Sequence, residues 1–270
     1  MDLSRAKYIL PNMFTLGSVM CAMFSMHISA TASTPREMAL AAWLIIISAV
    51  CDVSDGRVAR MTRTESEFGV QLDSLADAIS FGIAPAWLMY HWGLSQLGNW
   101  GIAIAFVYVG CTLMRLARFN VLAAKEDHSE GPSRYFLGLP SPLAAGTVVA
   151  VVLAHLSITS QMTTPATLSV SVMSVLLGLL MVSNVRYRTF KDASLRSREG
   201  LVILALLAAS ITAGAVFKPS LAVVILMALY VIMGLIGALI HLSRSILSSD
   251  SEEEADFSQE LAIESDEKLG

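Results

Sequence analysis

Charged residues are scarce in this sequence: they make up 15% of its 270 residues, whereas 55% are hydrophobic. So low a charge content excludes an ordinary soluble domain. Cysteine is scarce as well, and Cys21, Cys51 and Cys111 all lie in apolar stretches with no close pair among them. This excludes a disulfide framework or a cysteine zinc site and indicates buried small hydrophobic side chains. The five histidines are scattered, and none is placed to ligate a metal together with another.

What the sequence has instead is a series of long apolar stretches, each able to cross ~30 Å of hydrocarbon. They predict an all-α, polytopic membrane helix bundle of about eight transmembrane helices. We expect spans at about 13–31, 37–60, 67–93, 98–121, 139–159, 166–185, 200–217 and 220–243.

The two ends of the chain differ from this apolar body. Residues 1–11 combine two cations with an apolar side, which predicts a short interfacial helix before Pro11-Asn12 turns the chain inward. This first segment has no small-residue cleavage site and is not expected to be a signal peptide. Nine of the 22 acidic residues fall in residues 248–270, which predicts a disordered, solubilising tail. The expected organisation is a juxtamembrane amphipathic segment at 1–12, a membrane domain at 13–246 and an acidic tail at 247–270.

The cations predict how the bundle is oriented. With both termini in the cytoplasm, 16 of the 18 lysines and arginines fall on the cytoplasmic side, leaving only Arg36 and Lys218 outside. We therefore expect an integral protein of the bacterial cytoplasmic (inner) membrane, with both termini and residues 52–77 on the cytoplasmic side.

Four aspartates stand close together within this apolar background: Asp52, Asp55, Asp73 and Asp77. Carboxylates in membrane helices are costly unless they serve a function. Their spacing is helical on both sides of a short polar break, so two helices that meet in a tight hairpin would point two carboxylates each into one space. Four negative charges at close range need positive charge between them. Oxygen-only ligands favour one or two hard divalent cations, Mg²⁺ or Mn²⁺.

Small residues share the helix faces of the aspartates. Gly56, Ala59 and Gly69 allow a close helix approach or leave a slot for an extended ligand. Between the two helices, Thr64 and Glu67 have the spacing of a capping box, which predicts the start of the second helix.

The whole pattern resembles the signature of the CDP-alcohol phosphatidyltransferase family, with every fixed position filled: Asp52, Asp55, Gly56, Ala59, Arg60, Gly69, Asp73 and Asp77. The resemblance implies that Asp52, Asp55 and Asp73 are metal ligands and that Asp77 is a further ligand or the general base, so that Asp73 and Asp77 are the catalytic pair. It implies two Mg²⁺ or Mn²⁺ ions. It also implies a nucleotide slot, and its expected lining residues are Gly56, Ala59, Arg60, Gly69, Asn12 and Thr15.

A second resemblance rests on the stretches RLARFNV at 115–121 and FLGLPSP at 136–142, where Gly138 permits a tight approach. They look like the phosphatidylserine synthase branch of the family. This implies CDP-diacylglycerol as donor, L-serine as acceptor, CMP as product, membrane lipid as surroundings and a homodimer, with no nucleic-acid partner. The residues expected to bind serine or phosphate are Arg115, Arg118, Asn120 and Arg134.

Other interpretations stay open at this point. Glycerol 3-phosphate or an inositol phosphate as acceptor would also need arginines near the site. A divalent-cation transporter could carry carboxylates and glycines in its helices, but it would more typically show a second copy of the cluster. The aspartates could also be surface partners of Arg57, Arg60 and Arg63, and the arginines of 115–118 could merely mark the cytoplasmic side.

Overall fold

The computed structural model describes residues 3–62, 64, 66–126, 135–183 and 186–188. Apart from one short strand pair, this part of the chain is helical, as predicted. The helices are α1 (Leu3–Thr31), α2 (Pro35–Thr62), α3 (Glu67–Asp77), α4 (Ala84–Trp92), α5 (Asn99–Glu126), α6 (Ser141–Thr159) and α7 (Thr167–Val182). The strands β1 (Tyr135–Leu137) and β2 (Arg186–Arg188) pair antiparallel and were not predicted.

Four of the described helices are long and apolar enough to cross a membrane: Asn12–Thr31, Pro35–Thr62, Asn99–Ala123 and Ser141–Thr159. These lengths and compositions are those of an integral membrane protein. The count of eight spans is not confirmed, because the predicted spans at 200–217 and 220–243 lie outside the described residues. The acidic tail lies outside them too.

The predicted turn at Pro11 is wrong, since α1 runs without a break from Leu3 to Thr31. A proline removes one backbone donor and strains one turn, but a long helix keeps all its other hydrogen bonds. Continuing the helix into an apolar environment satisfies more backbone groups than a turn would.

The predicted span at 67–93 is one helical path with an irregular middle. α3 leads into a π-helix at Ala78–Ile83, which leads into α4. The predicted capping box of Thr64 and Glu67 is wrong, because the residue that caps α3 is Ser66, whose Oγ accepts a hydrogen bond from the Gly69 N–H at 3.1 Å. The Thr64 N–H instead donates to a carbonyl of α2 at 3.0 Å, so Thr64 belongs to the end of α2.

α6 lies at the centre of the core. About half of its apolar stretch is buried, against 28% in each of the other three long helices. Most of the buried side chains along it are small or β-branched, which lets neighbouring helices approach closely. They include Ala144, Ala145, Val148, Val149 and Val152.

One end of the bundle is held together by polar bonds between α4, α6 and the segment before α7. The Thr164 N–H donates to the Trp92 carbonyl at 2.9 Å, the Trp92 indole donates to His155 Nδ1 at 3.1 Å, and Gln96 Nε2 donates to the Thr164 carbonyl at 2.8 Å. Because successive helices alternate in direction, the start of α1, the hairpin between α2 and α3, the end of α5 and the start of α6 meet at the other end. That end carries the candidate site.

Candidate active site at the carboxylate end of the bundle

The structure brings the predicted carboxylates together. Asp52 and Asp55 lie on the last turns of α2 and Asp73 lies on α3, and one ligand oxygen from each falls within 4.8 Å of the others. Asp77 lies one turn further along, with its carboxyl group in hydrogen-bonding reach of Asp52. The four side chains thus form one cluster between two helices, which is the arrangement that the hairpin predicted.

The local sequence explains this convergence. Asp52 and Asp55 are three residues apart on α2, and Asp73 and Asp77 are four apart on α3, so each pair shares a helix face. The Ser66 cap starts α3 four residues after α2 ends, which keeps the hairpin short. A short hairpin sets the two faces against each other.

The donor set fits a divalent cation. Its ligand atoms are all carboxylate oxygens, which suit a hard ion. Asp55 is 5% exposed, so its charge is largely removed from water, and Asp77 Oδ1 is buried without a hydrogen-bond partner in the described part of the chain. Buried carboxylates that repel one another and leave a lone pair unused are what a cation would stabilise. The three carboxylates Asp52, Asp55 and Asp73 are therefore a group able to hold a metal ion.

The start of α1 borders the cluster through two of the predicted nucleotide contacts. Thr15 is buried, and its Oγ1 donates to Asp55 Oδ2 at 2.6 Å. Asn12 Oδ1 lies 3.8 Å from the point that a β-carbon on Gly69 would occupy. The Thr15 hydroxyl thus binds a carboxylate of the cluster. Asn12 and Gly69 face each other across a narrow gap.

The helix face beside Gly56 is open. A β-carbon built there would come within 4 Å of one group only, the Arg60 guanidinium, whose Nη2 lies 3.9 Å away. Ala59 is half-buried on the same helix. Gly56 therefore leaves a space beside the carboxylates that no described protein atom fills.

Two predicted arginines reach this end of the bundle from α5. Arg115 Nη1 donates to Ser141 Oγ at 3.0 Å, and the guanidinium lies close enough to Asp77 to interact with its charge. Arg118 Nη1 donates to the Val182 carbonyl at 3.3 Å. Arg115 is thus the cation that α5 brings to the carboxylates, while Arg118 lies against the end of α7.

Asn120 forms a two-way contact with α3. Its Nδ2 donates to Ser74 Oγ at 2.8 Å, and its Oδ1 lies 3.1 Å from the same hydroxyl. Because Ser74 follows Asp73, this contact holds the end of α5 beside a metal-ligand candidate. Arg134 lies outside the described residues.

The tight approach predicted at Gly138 is confirmed. Gly138 has a φ of +79°, and a β-carbon there would overlap the Met181 carbonyl oxygen. The adjacent Leu139 N–H donates to the Leu180 carbonyl at 3.0 Å. The glycine therefore lets the start of α6 meet the end of α7, next to the partners of both arginines.

All three cysteines are free thiols, but two that are far apart in the sequence come near each other in the fold. The Cys21 and Cys51 side chains lie within hydrogen-bonding distance of each other. They are 30 residues apart in the sequence, but they lie on α1 and α2, which are neighbouring antiparallel helices. Sequence spacing alone does not reveal such a pair.

Comparison with known proteins identifies the family. The sequence profile of the CDP-alcohol phosphatidyltransferases matches residues 8–183, a range that runs from within α1 to just past the end of α7 and includes all four aspartates. The chain belongs to the CDP-alcohol phosphatidyltransferase family.

Relatives of this phosphatidyltransferase carry a common name, CDP-diacylglycerol–serine O-phosphatidyltransferase. The protein of that name from Helicobacter pylori is 35% identical over 90% of this chain and 96% of its own length. The protein from Methanocaldococcus jannaschii is 37% identical over 55% of this chain and 64% of its own. The protein from Saccharomyces cerevisiae is 41% identical over 43% of this chain and 42% of its own.

Several polar residues at this end of the phosphatidyltransferase bundle escaped the sequence interpretation. Ser74 and Ser141 contact Asn120 and Arg115, and a separate group of buried serines lies deeper in the bundle. Serine is common in membrane helices and carries little signal by itself. Ser74 stands directly after the predicted ligand Asp73, but nothing in the local sequence links Ser141 to Arg115.

Proposed function

We propose that this chain is a CDP-diacylglycerol–serine O-phosphatidyltransferase. It transfers the phosphatidyl group from CDP-diacylglycerol to the hydroxyl of L-serine, giving phosphatidylserine and CMP. The observation that carries the proposal is the meeting of a carboxylate group able to hold a metal ion with Arg115 at one end of the bundle. The name of the Helicobacter pylori relative, which aligns over 90% of this chain, supports serine as the acceptor.

Asp52, Asp55 and Asp73 hold the metal in this proposal, and Asp77 completes a site for two Mg²⁺ or Mn²⁺ ions. Oxygen ligands on rigid helices favour these ions over softer metals. When bound, they neutralise diphosphate charge and stabilise the negative charge that develops on the departing CMP. The close approach of the carboxylates supports this assignment.

Asp77 is also the proposed general base. Its buried Oδ1, which accepts no hydrogen bond from the described residues, is available to accept the proton of the serine hydroxyl. The serine oxygen then forms a bond to the phosphorus that bears diacylglycerol, and the bond from that phosphorus to the CMP oxygen breaks. Asp73, on the same helix face, keeps the reacting phosphate beside Asp77.

Arg115 and Arg118 are proposed to bind the serine carboxylate. A guanidinium forms two parallel hydrogen bonds to a carboxylate, which fixes the orientation of the acceptor. The hydrogen bonds to Ser141 and to the Val182 carbonyl restrict the rotation of the two guanidinium groups. We assign to Asn120 the positioning of α5 on α3 through Ser74, and its contact with serine, like that of Arg134, stays a prediction.

The cytidine diphosphate is proposed to occupy the space beside Gly56. Arg60 borders that space and supplies a positive charge for a phosphate oxygen. Ala59, Gly69 and Asn12 would line the rest of the slot. Thr15 contributes indirectly, because its hydroxyl orients Asp55.

The expected setting is a bacterial inner membrane, with the site and both termini in the cytoplasm and the membrane domain at 13–246 assembled as a homodimer. The bias of lysine and arginine supports the orientation. The donor is itself a membrane lipid with a water-soluble nucleotide head, so a site at one end of the bundle suits it.

The experiment that tests this function measures CMP release by the purified full chain in detergent with CDP-diacylglycerol and Mn²⁺. L-Serine, glycerol 3-phosphate and inositol phosphate are compared as acceptors. Serine-dependent release is expected, and Asp73→Asn is expected to abolish it. Glu37→Gln is the matched control, because Glu37 is an exposed carboxylate at the other end of α2.

The other outcomes are distinct. Release only with another acceptor would keep the metal-binding carboxylates and refute serine. Release that survives Asp73→Asn would refute the assigned site. No release with any acceptor from folded protein would refute the enzyme and favour the cation transporter.

A further inference from the structure

A cluster of three buried serine hydroxyls lies beneath the carboxylates, between three different helices. Ser18 Oγ on α1 lies 2.8 Å from Ser48 Oγ on α2 and 2.9 Å from Ser80 Oγ in the π-helix. Ser48 Oγ also lies 3.0 Å from the Ser18 carbonyl and donates to it. None of the three side chains is more than 1% exposed. We call this group the hydroxyl cluster.

The geometry fixes the direction of each hydrogen bond in the hydroxyl cluster. A hydroxyl has one hydrogen, and that of Ser48 goes to the Ser18 carbonyl, so Ser48 Oγ must accept from Ser18. The hydrogen of Ser18 is then used, so Ser18 Oγ must accept from Ser80. Every hydrogen is donated once along one chain of bonds, and a fully satisfied buried network of this kind fixes the packing of the elements that carry it.

Each member of the hydroxyl cluster lies one helical turn from a residue of the carboxylate site. Ser48 precedes Asp52 by four residues and Ser80 follows Asp77 by three. Ser18 follows Thr15, the partner of Asp55, by three residues. At 1.5 Å per residue the hydroxyl cluster therefore lies roughly 4.5–6 Å below the site, about one helical turn away.

Ser80 lies in the π-helix that follows Asp77, and the sequence explains why this wide turn forms. Residue 85 is a proline, so the Phe81 carbonyl has no N–H four residues ahead, and the proline ring crowds that carbonyl. The chain responds with a wider turn, in which the Ala84 N–H donates to the Ile79 carbonyl five residues back. The extra residue rotates the rest of the helical path by about 100° relative to an uninterrupted α-helix.

A second buried hydroxyl stabilises this wide turn from the opposite side. Tyr108 on α5 is fully buried, and its hydroxyl donates to the Phe81 carbonyl at 3.2 Å. The carbonyl that Pro85 leaves without an α-helical partner is thereby satisfied. Two helices therefore hold the irregular turn directly after Asp77. Ser18 of α1 bonds to Ser80, and Tyr108 of α5 bonds to the Phe81 carbonyl.

We propose that the hydroxyl cluster of Ser18, Ser48 and Ser80 positions the carboxylates for metal binding. The serines touch neither metal nor substrate and act through Asp52, Asp55 and Asp77 as positioning residues. The inference rests on the proposed metal-dependent function. Residues that support metal ligands from outside typically change metal affinity or activity by about 10- to 100-fold.

The test compares Ser18→Ala with Ser25→Ala in the purified full chain. Ser18 joins both other serines, so its loss leaves the Ser80 hydroxyl without its acceptor and leaves Ser48 with only its bond to the carbonyl of residue 18. Ser25 is the matched control, because it lies on the same helix, is 0% exposed and donates to the Ala41 carbonyl of α2 at 2.7 Å. Both variants therefore lose a buried bond between α1 and α2, but only the bond of Ser18 lies beneath the carboxylates.

Mn²⁺ binding is measured without substrate, from the free Mn²⁺ signal in electron paramagnetic resonance, together with the unfolding temperature. Ser18→Ala is expected to bind Mn²⁺ about tenfold more weakly. It is also expected to lower kcat with little change in the KM for CDP-diacylglycerol. Ser25→Ala is expected to lower the unfolding temperature similarly and to leave Mn²⁺ affinity and kcat unchanged.

Equal Mn²⁺ affinity in Ser18→Ala and wild type, or equal losses in both variants, would overturn the proposal. If Ser18→Ala does not fold, Ser80→Ala removes only one bond and is expected to weaken Mn²⁺ binding in the same direction, and unchanged affinity there would overturn it too. Loss of Mn²⁺ affinity in a protein that releases no CMP with serine would refute the proposed acceptor and keep the positioning role. A wild-type protein that binds no Mn²⁺ would refute both.

Discussion

Replacing Gly56 with alanine should change stability and activity in opposite directions, because the helix face beside this residue is open. Gly56→Ala places a methyl group where the nearest atom is Arg60 Nη2 at 3.9 Å, so no protein atom has to move. Alanine favours the interior of a helix over glycine by about 0.5–1 kcal/mol. For a chain of this size, that gain raises the unfolding temperature by roughly 1–4 °C.

The same methyl group should interfere with the nucleotide. It projects about 1.5 Å into the space proposed for the cytidine diphosphate, and a displacement of that size at a reacting centre costs about 100-fold in rate. A 100-fold loss in kcat/KM corresponds to about 2.7 kcal/mol of transition-state stabilisation. We therefore expect Gly56→Ala to be more stable than the wild type and about 100-fold less active.

The assay is serine-dependent CMP release together with thermal unfolding in the same detergent. Gly110→Ala is the matched control, because Gly110 lies inside α5 with no atom within 4 Å of an added β-carbon. It should gain similar stability with full activity. Wild-type activity in Gly56→Ala would show that no ligand uses this space, and a lowered unfolding temperature would show that the space is not open.

Three further predictions concern contacts around the site. Thr15→Val removes the hydroxyl bonded to Asp55 and should lower the free energy of unfolding by about 1–2 kcal/mol, whereas Thr15→Ser should retain it; equal denaturant midpoints for the two would contradict this. Gly138→Ala forces an alanine to a φ of +79° and should cost at least about 1–2 kcal/mol, so an unchanged unfolding temperature would argue against the tight approach. Mild oxidation should join Cys21 to Cys51 within one chain, and peptide mapping under non-reducing conditions should find this disulfide in the wild type and lose it in Cys51→Ala; its absence in the wild type would contradict the α1–α2 alignment.

The features that the sequence predicted well depend on periodicity within a helix. The two pairs of aspartates follow helical spacing on either side of a short break, and a short break leaves few ways to arrange two helices. Their convergence could therefore be predicted without any knowledge of the other helices. Gly138 was predictable for a different but equally local reason, because a glycine before two prolines marks a backbone constraint.

The features that the sequence missed depend on competition between local signals or on contacts between distant helices. Thr64 and Ser66 are both residue types that cap helices well. Thr64 bonds to the end of α2, so Ser66 is the residue that caps α3. Pro11 and Pro85 both interrupt a helical hydrogen-bond pattern, yet α1 continues through one and a π-helix precedes the other. The outcome at Pro85 depends on Tyr108 and Ser18, whose contacts there exist only in the folded bundle.

The order in which the site residues occur along the chain has a consequence for biosynthesis. All four aspartates have been made by residue 77, but Arg115 and its partner Ser141 come only later, on α5 and α6. Because domains are synthesised from the N-terminus, the nascent chain contains four adjacent carboxylates before the cation that faces them has left the ribosome. A chain that stops before α5 would expose this acidic hairpin without Arg115, Tyr108 or Asn120, so an interrupted product should be recognisable to quality control and inactive as an enzyme.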